Sequence, residues 1–462
     1  MLRAMTLSSI LDFVRCPACF SALEESGDAS LRCVGIACEA VYPVYPVGTG
    51  LPWLFRDVEG SRSQWADKVA LFREEMARER SGYEAALETS VALESVRTRL
   101  SRQAEGVGRL EAQVLDVLVP FEFASANRAS GLPVDRIPSP QHVTSYLETA
   151  FRDWCWGESE VEETERLLTS LLEAGGDSTP TGARALVLGG GAGRLAWELS
   201  NRASDLHVVQ LDLNPLLSSI GSRCARGGSL ELTELPRFPL SVDDAAVDQT
   251  LSAPTGEGAP IFLLGDAFHP PFAPETFDLL ITPWFLDIVP ESFPALSRRL
   301  ARLLKPDGRW LGFGPLSFEA MGPADRFTPE EVIDLLEDQG FEIEQAGTES
   351  VSYLHSPHSM QRRGEEILAF AARRSGALPE AVEFAYYPEW ITHARVAIPE
   401  DPRFDGMRAE RIFDVEILKC IDGRASIEDI VLILSSRYSL PAERCRNIVD
   451  RFFARWFEGG ED

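Results

Sequence analysis

Long apolar runs are missing from this sequence of 462 residues. A membrane-spanning helix needs about 18 or more consecutive apolar residues, so we expect no transmembrane segment and no membrane partner. The first residues, MLRAMTLSSILDFVRCPAC, provide neither an adequate apolar stretch nor a cleavage site for a signal peptide. We therefore expect a cytoplasmic protein.

Basic residues are also scarce. The chain has 44 Lys and Arg against 72 Asp and Glu, a formal net charge of −28. Proteins that bind the phosphate backbone of nucleic acids need a basic surface, so a nucleic acid is an unlikely partner. The 45% hydrophobic content is sufficient for a sizeable core. The length predicts two to four domains at roughly 100–200 residues each.

Half of the eight cysteines lie close together near the start, at Cys16, Cys19, Cys33 and Cys38. Four thiolates around one Zn²⁺ complete a tetrahedral coordination sphere, which is typical of a structural site. So small a segment buries little surface, and the metal would supply much of its folding energy. The alternative is four unrelated thiols. The other cysteines are scattered, as reduced thiols in a cytosolic chain are.

Short apolar runs separated mostly by helical patterns follow in the middle of the chain. This alternation predicts an α/β fold with a parallel sheet covered by helices. We interpret the polar stretch 225–258 as an inserted loop. The predicted strands are residues 183–189, 206–212, 261–266, 277–284 and 309–314.

The first of these strands runs into a glycine-rich turn that contains Gly189, Gly191 and Gly193. Glycines allow a sharp turn and a close approach of the backbone to a ligand. Asp212 ends the next strand, where a carboxylate can accept hydrogen bonds from two ribose hydroxyls. A plain turn and an NAD-binding dehydrogenase loop are the alternatives, because nucleotide-binding folds share such loops.

Later features narrow the choice. Asp266 ends the third strand, where it can reach an adenine amine with the Ala267 backbone beside it, and a helix, KPDG and a further strand follow the fourth. This ordered set resembles class I methyltransferases, which implies a Rossmann-like sheet and S-adenosylmethionine (SAM) as cofactor. One departure is Val187, since many of these enzymes carry an acidic residue two positions before the first glycine.

The cysteine-rich segment, residues 1–58, has a resemblance of its own. ILDFVRCPAC, CEAVYPV and GLPWLF are similar to the small zinc-ribbon proteins that bind and activate methyltransferases. The resemblance implies a zinc ribbon fused to its enzyme. Residues 59–140 then form a helical segment and linker with apolar residues at helical spacing.

Residues 141–375 form the predicted methyltransferase domain, and most of it resembles the carnosine N-methyltransferase family. Arg152-Asp153-Trp154, GAGRLAWE, TPWFLDIV and WLGFGPL carry the resemblance. It implies that Gln141 and Arg152 close over the cofactor, and that Asp287 and Tyr353 act in the substrate pocket. Asp287 as a capping carboxylate and Tyr353 as a core aromatic are the alternatives. The family has a histidine shortly after GPL, where Ser317-Phe318-Glu319 stands here.

A predicted linker, residues 376–404, leads to a compact helical unit over 405–462. The order of its helices, with Ser426 and Asp429 at one helix start, resembles the small winged-helix domain of the pyrroloquinoline quinone peptide chaperone. Such domains bind leader peptides by adding a strand to a sheet edge. The alternative is a helical domain that only packs on the enzyme or dimerises.

Together these features predict a SAM-dependent N-methyltransferase that acts on an amine or imidazole nitrogen of a peptide or peptide-like substrate. Two alternatives stay open. One is a small-molecule methyltransferase of secondary metabolism, in which the end domains are structural. The other is a non-catalytic scaffold that keeps the fold without turnover.

Overall fold

The computed structural model describes residues 7–457 apart from 28, 49, 90–92, 124–141, 177–180, 203–204, 259, 319–320, 382–394 and 399–411. The chain forms two compact units, Met1–Tyr386 and Tyr387–Asp462. Gln141, Glu319 and most of the predicted linker 376–404 lie outside the described residues.

The first unit is built on a large mixed sheet and a separate hairpin. The strands are β1 (Leu23–Ser26), β2 (Ser30–Cys33), β3 (Val41–Tyr45), β4 (Leu51–Leu54), β5 (Arg184–Leu188), β6 (His207–Asp212), β7 (Ser229–Glu234), β8 (Val247–Ser252), β9 (Ile261–Gly265), β10 (Phe277–Pro283), β11 (Leu304–Gly314), β12 (Phe341–Tyr353) and β13 (Arg363–Arg374). The large sheet has 11 strands in the order β1-β2-β3-β4-β9-β6-β5-β10-β11-β13-β12.

Helices surround this sheet. They are α1 (Val58–Thr89), α2 (Glu94–Leu118), α3 (Leu147–Phe151), α4 (Glu158–Ala174), α5 (Arg194–Arg202), α6 (Pro215–Cys224), α7 (Phe293–Ala301) and α8 (Pro329–Asp338). A π-helical turn, Arg152–Trp156, joins α3 to α4. The predicted helices of the 59–140 segment correspond to α1 and α2.

The strands of the sheet centre are buried on both faces, which explains their continuous apolar runs. Along β5, Leu186 and Leu188 pack into one core cluster, which includes Leu296 of α7. The alternate residue Val187 packs into another cluster with Leu167 of α4. Helices therefore cover both faces, and the predicted Rossmann-like α/β class is confirmed.

The cysteine-rich segment is joined to the same sheet. Its last strand, β4, pairs in parallel with β9, with Trp53 opposite Leu264 and Leu54 opposite Gly265. All four β4 residues are buried. The indole Nε1 of Trp53 donates to Ser61 Oγ at 2.8 Å, which connects this strand to the start of α1. Strand β4 therefore extends the parallel part of the sheet at its β9 edge.

The stretch 225–258 differs from the predicted loop. It contains β7 and β8, which form an antiparallel hairpin. The hairpin packs against α2 at Gly106, where an added Cβ would lie 2.6 Å from Ala246 and 2.8 Å from Leu235. These strands were not recognised in the sequence because their residues alternate with polar ones. The helix that covers their buried face lies more than 100 residues earlier in the chain.

The second unit contains a helical segment over 412–420, α9 (Ile427–Tyr438) and α10 (Ala442–Phe457). Its core includes Ile417, Leu434 and Val449. Ser426 caps α9, and a reciprocal capping box with Asp429 is present, as the sequence predicted. None of the helices in the described part of the chain is long and apolar enough to cross a membrane.

Candidate active site

The order of the strands marks one position at the sheet's edge. The chain passes from β5 outward to β6 and β9, and then returns to β10 on the other side of β5. A ligand in such a sheet binds outside the carboxyl ends of the strands where the order reverses. The segments that follow β5 and β10 both leave at this point, and we call the space between them the cleft.

The glycine loop, Gly189–Gly193, follows β5. Gly189, Gly191 and Gly193 have φ values of +66°, +62° and +91°, a left-handed region that favours glycine. A Cβ at Gly193 would lie 2.4 Å from the Phe262 ring, and one at Gly191 would lie 2.7 Å from Thr149. These positions therefore exclude side chains for packing reasons as well.

The turn Arg152–Trp156 lies against this loop. Trp154 Nε1 donates to the Ala192 carbonyl at 2.8 Å. Arg152 and Asp153 form an ion pair at 2.6 Å, and Arg152 Nη2 lies 3.8 Å from the Cβ position of Gly191. Asp153 Oδ2 is buried and has no hydrogen-bond partner among the described residues. Arg152 is therefore placed to bind an anionic group at the loop.

Asp212 ends β6 next to the loop. Its Oδ1 accepts a hydrogen bond from the Asn214 backbone N–H at 2.8 Å. Burial raises the pKa of Asp212 to about 7, and hydrogen bonds from the backbone N–H groups of Asn214, Gly191 and Leu213 oppose this rise. Burial also raises the pKa of Tyr146, and the nearby Asp212 charge adds to that shift. Asp212 is thus a desolvated acceptor at the strand end.

Asp266 follows β9 and is 6% exposed. Its Oδ1 accepts from the Phe268 backbone N–H at 2.9 Å, and Oδ2 lies 3.6 Å from His269 Nδ1. Arg56, just after β4, places Nη1 at 3.4 Å from His269 Nε2. Ala267 is half-buried beside Asp266. The cysteine-rich segment thus contributes to the surroundings of this carboxylate.

An aromatic pair stands on the other side of the cleft. Trp284 follows β10 and stacks on Tyr353, with ring centroids 5.5 Å apart and planes at 19°. Trp284 Nε1 donates to Glu365 Oε2 at 2.8 Å. The Arg363 guanidinium lies 5.1 Å from the Tyr353 ring centroid. Burial raises the pKa of Tyr353, and the positive charge of Arg152 opposes the rise, so Tyr353 lies near the glycine-loop side.

Asp287 lies three residues beyond Trp284 and is 4% exposed. Its Oδ2 accepts from the Ser317 backbone N–H at 3.1 Å and from Ser317 Oγ at 2.5 Å. Its Oδ1 is buried without a hydrogen-bond partner in the described part of the chain. Phe285, in the same segment, is 2.8 Å from the Cβ position of Gly189. The Asp287 segment therefore borders the glycine loop.

The four clustered cysteines form a second candidate site. Each sulfur atom lies within 4.8 Å of the others. The Cys16–Cys38 and Cys19–Cys33 sulfur distances are 3.8 and 3.4 Å. Tetrahedral coordination with Zn–S bonds of about 2.3 Å separates sulfurs by roughly 3.8 Å, so the set fits a zinc ion. Tyr42 Oη, 3.0 Å from Cys16 Sγ, could donate to a thiolate there.

The structure thus brings Arg152, Tyr353, Asp212 and the glycines to one edge of the sheet. The analysis of the sequence did not identify several neighbours. Tyr146 and Arg56 reach the site through contacts across the fold, and no local motif surrounds them. Ser317 was noted only as part of the stretch that replaces the family's histidine, and its contact with Asp287 was not predicted.

Two protein families match parts of the chain. The profile described as "Methyltransferase domain" matches residues 186–311. The profile described as "Coenzyme PQQ synthesis protein D (PqqD)" matches residues 415–460. A comparison with curated proteins finds no match.

Solved structures also align with the chain. A SAM-dependent methyltransferase from Methanosarcina mazei is 18% identical, with 44% of this chain and 95% of that chain covered and a TM-score of 0.30. The magnesium protoporphyrin IX methyltransferase from Synechocystis, solved with bound SAH, is 16% identical, with coverages of 46% and 84% and a TM-score of 0.30. A SAM-dependent methyltransferase from Aquifex aeolicus is 14% identical, with coverages of 50% and 97% and a TM-score of 0.28.

The methyltransferase match spans β6, β9 and β10, parts of β5 and β11, the glycine loop and Asp212. With the strand order and the cleft, it defines the class of the enzyme. The chain is a SAM-dependent methyltransferase, as the sequence predicted, and it carries a PqqD domain at its C-terminal end. The dehydrogenase alternative is thereby set aside.

Proposed function

We propose that this enzyme methylates an amine or imidazole nitrogen of a peptide that its C-terminal domain recruits. The observation that carries the proposal is the Asp287 carboxylate. Ser317 holds one of its oxygens, while the other is buried without a partner among the described residues. A buried acceptor left open in this way is suited to an N–H group of the substrate.

The residues of the cleft fit SAM. Asp212 would accept hydrogen bonds from the ribose hydroxyls, and Asp266 with the Ala267 backbone would hold the adenine amine. Arg152 would bind the carboxylate of the methionine part, since it lies above the side-chain-free Gly191. The resemblance to carnosine N-methyltransferases adds Gln141 to this set. SAM supplies an activated methyl group on a positively charged sulfonium.

The protein's own contribution is to hold the accepting nitrogen in line with that methyl group. Asp287 would accept the substrate N–H, fix the tautomer of an imidazole and stabilise the positive charge that develops. Tyr353 and Trp284 would flank the accepting group, since aromatic faces attract flat rings and cations. Glu365 and Arg363 hold this pair in place.

We infer that the substrate is not carnosine but is also methylated on a nitrogen. The carnosine N-methyltransferase family has a histidine shortly after GPL. Here Ser317-Phe318-Glu319 stands in this region, with Glu319 roughly at the position of the histidine, and the Ser317 hydroxyl is already bound to Asp287. The lost histidine removes a substrate contact, while the retained Asp287 keeps the contact to nitrogen. A different histidine- or amine-containing peptide fits this change.

The C-terminal domain supports the peptide assignment. Its matched family is named for coenzyme PQQ synthesis, and the sequence resembles the peptide chaperone of that process. In the second unit, Leu418 and Leu432 are exposed by 56% and 64%, and exposed apolar residues mark binding surfaces when they cluster. We propose a leader peptide as the ligand of this domain.

We further propose that Cys16, Cys19, Cys33 and Cys38 hold a structural Zn²⁺. The arrangement of their sulfur atoms fits four-thiolate coordination. A cytoplasmic location suits this assignment, because the thiols must stay reduced to bind the metal.

The test is Asp287→Asn, assayed with SAM and peptides that carry histidine or a free amine. We expect kcat/KM to fall about 100-fold or more, because the amide cannot stabilise the developing charge as a carboxylate does. The SAM dissociation constant should change less than about twofold. Asp307→Asn is the matched control, since Asp307 is exposed and its φ of +62° suits asparagine. Full turnover by the Asp287→Asn enzyme would refute the proposal.

A further inference from the structure

The glycine loop has no carboxylate on its own strand to hold it. Val187 occupies the position two residues before Gly189, and its side chain is buried in an apolar cluster. Five residues without regular structure connect β5 to α5. A loop that must keep a fixed shape for a ligand needs hydrogen bonds from somewhere else.

The neighbouring strand supplies them. Gln210 of β6 lies directly opposite Val187 in the register of β5 and β6, and its side chain is fully buried. Its Nε2 donates to the Gly191 carbonyl at 3.0 Å. The side chain fills the space beneath the loop, because its Oε1 lies 2.5 Å from the Cβ position of Gly190 and 3.4 Å from that of Gly193.

Strand β6 therefore binds both polar backbone groups of Gly191. Gln210 binds the carbonyl, and the Gly191 N–H donates a hydrogen bond to Asp212, two residues further along β6. The central residue of the loop is fixed directly to the strand that ends in the ribose-binding carboxylate.

The amide is retained at a cost. Gln210 Oε1 is buried without a hydrogen-bond partner in the described residues, and a buried acceptor of this kind is unfavourable by roughly 1–3 kcal/mol. A hydrophobic residue would avoid that cost but would lose the donor. A glutamate would place a carboxylate against the Gly191 carbonyl, where two acceptors repel. Only the amide offers an N–H donor of this length without a charge.

We infer that Gln210 is a positioning residue of the cofactor loop, replacing the acidic residue that Val187 displaces. It acts through Gly191 and does not touch the reacting atoms. This inference rests on the proposed placement of SAM in the cleft. It makes the loop dependent on β6, where both Gln210 and Asp212 lie.

The first test compares Gln210→Met with the matched control Gln339→Met in the full-length protein. Gln339 also donates its amide to a backbone carbonyl, that of Pro294 at 3.3 Å, but it follows α8 and contacts α7, away from the glycine loop. We expect Gln210→Met to weaken SAM binding about tenfold by calorimetry. The KM for SAM should rise by a similar factor, while kcat at saturating SAM changes less than about twofold. The control should bind SAM like the wild type.

The second test separates the hydrogen bond from the filling of space. In Gln210→Glu, the substituted carboxyl can donate to the Gly191 carbonyl only when it is protonated. The SAM affinity of this variant relative to Gln210→Met should therefore fall as the pH rises from about 5.5 to about 8.5. The charged groups around the loop, Asp212, Asp153 and Arg152, are present in both variants, so Gln210→Met is the reference that lacks only the added carboxyl.

The outcomes are distinguishable. Equal SAM affinity of Gln210→Met and the wild type, or a ratio between the two variants that does not change with pH, would overturn the inference while leaving the proposed function intact. A wild-type protein that binds zinc but not SAM would refute the proposed cofactor site itself. Melting temperatures of the cofactor-free variants identify any loss of binding that follows from unfolding.

Discussion

Asp212 is a carboxylate placed where burial disfavours its charged form. Burial raises its pKa from 3.8 to about 7. Between these values the folded protein binds more protons than the unfolded chain, so the free energy of unfolding decreases as the pH rises through this range. Above about pH 7 the carboxylate is charged in both states and the decrease ends. This is the reverse of an ion-paired aspartate.

SAM binding should couple to this titration. Ribose hydroxyls that donate to Asp212 favour its charged form and lower its pKa. We therefore predict that SAM binding releases protons near pH 6 to 7, and that affinity increases as the pH rises through about 7. Calorimetry in two buffers of different ionisation enthalpy measures the released protons directly.

Asp212→Asn provides the control for that prediction. The amide does not titrate, so proton release and the pH dependence of affinity should both disappear. Between about pH 5 and about pH 8, the free energy of unfolding of the wild type should decrease relative to that of the variant. A wild-type affinity that stays constant across this range would contradict the assigned role of Asp212.

At the scale of single residues, the sequence identified candidate site residues near the ends of strands. Asp212 ends β6, Gly191 and Asp287 lie three and four residues beyond the ends of β5 and β10, and parallel strands bring their carboxyl ends to one edge. Gln210 could not be found in this way. It looks like any residue within a strand, and its function depends on a register partner, Val187, that lies 23 positions earlier.

At the scale of single elements, strand β4 connects the cysteine-rich segment to the surroundings of Asp266. It ends the cysteine-rich segment and pairs with β9, whose next residue is Asp266. Beyond it, Arg56 contacts His269 on the same side. Because the segment is small, we expect its position to depend on the proposed zinc ion. A change at the metal site should therefore reach the adenine end of the cleft.

We predict that Cys19→Ser loses zinc, lowers the melting temperature and weakens SAM binding by about tenfold. Elemental analysis should give one zinc per wild-type chain. Cys420→Ser is the control, since Cys420 lies outside the cluster and in the second unit. Zinc-free protein that keeps full SAM affinity would show that the metal does not support the cleft.

The apolar runs predicted the central strands because each is buried on both faces. The pairing of β4 with β9 was beyond the sequence, since the two strands lie about 200 residues apart and β4 reads as the end of a ribbon. The β7–β8 hairpin was missed for a related reason. Its strands carry polar residues on one face, and the other face is buried by α2, which is distant in sequence.

On the scale of the whole molecule, the methyltransferase match and the PqqD match fall in separate compact units. The cleft and the cysteine cluster lie within Met1–Tyr386, and the PqqD match lies within Tyr387–Asp462. The second unit has its own core, which includes Ile430 and Leu434. The sequence predicted a linker over 376–404 from its prolines and a helical unit over 405–462 from the order of its helices. It did not predict the substrate, because peptide recognition depends on side-chain chemistry within a fold that serves many ligands.

Removal of residues 387–462 tests the division directly. If the second unit recruits a leader peptide, its loss should raise the KM for a leader-bearing peptide about tenfold or more, because the tethered site raises the local concentration of the substrate. The same peptide without its leader should be methylated equally by the full and shortened chains. SAM affinity and zinc content serve as controls that the first unit is intact. If the shortened chain loses nothing with the leader-bearing peptide, the C-terminal domain has another role, and the small-molecule methyltransferase becomes the better account of the cleft.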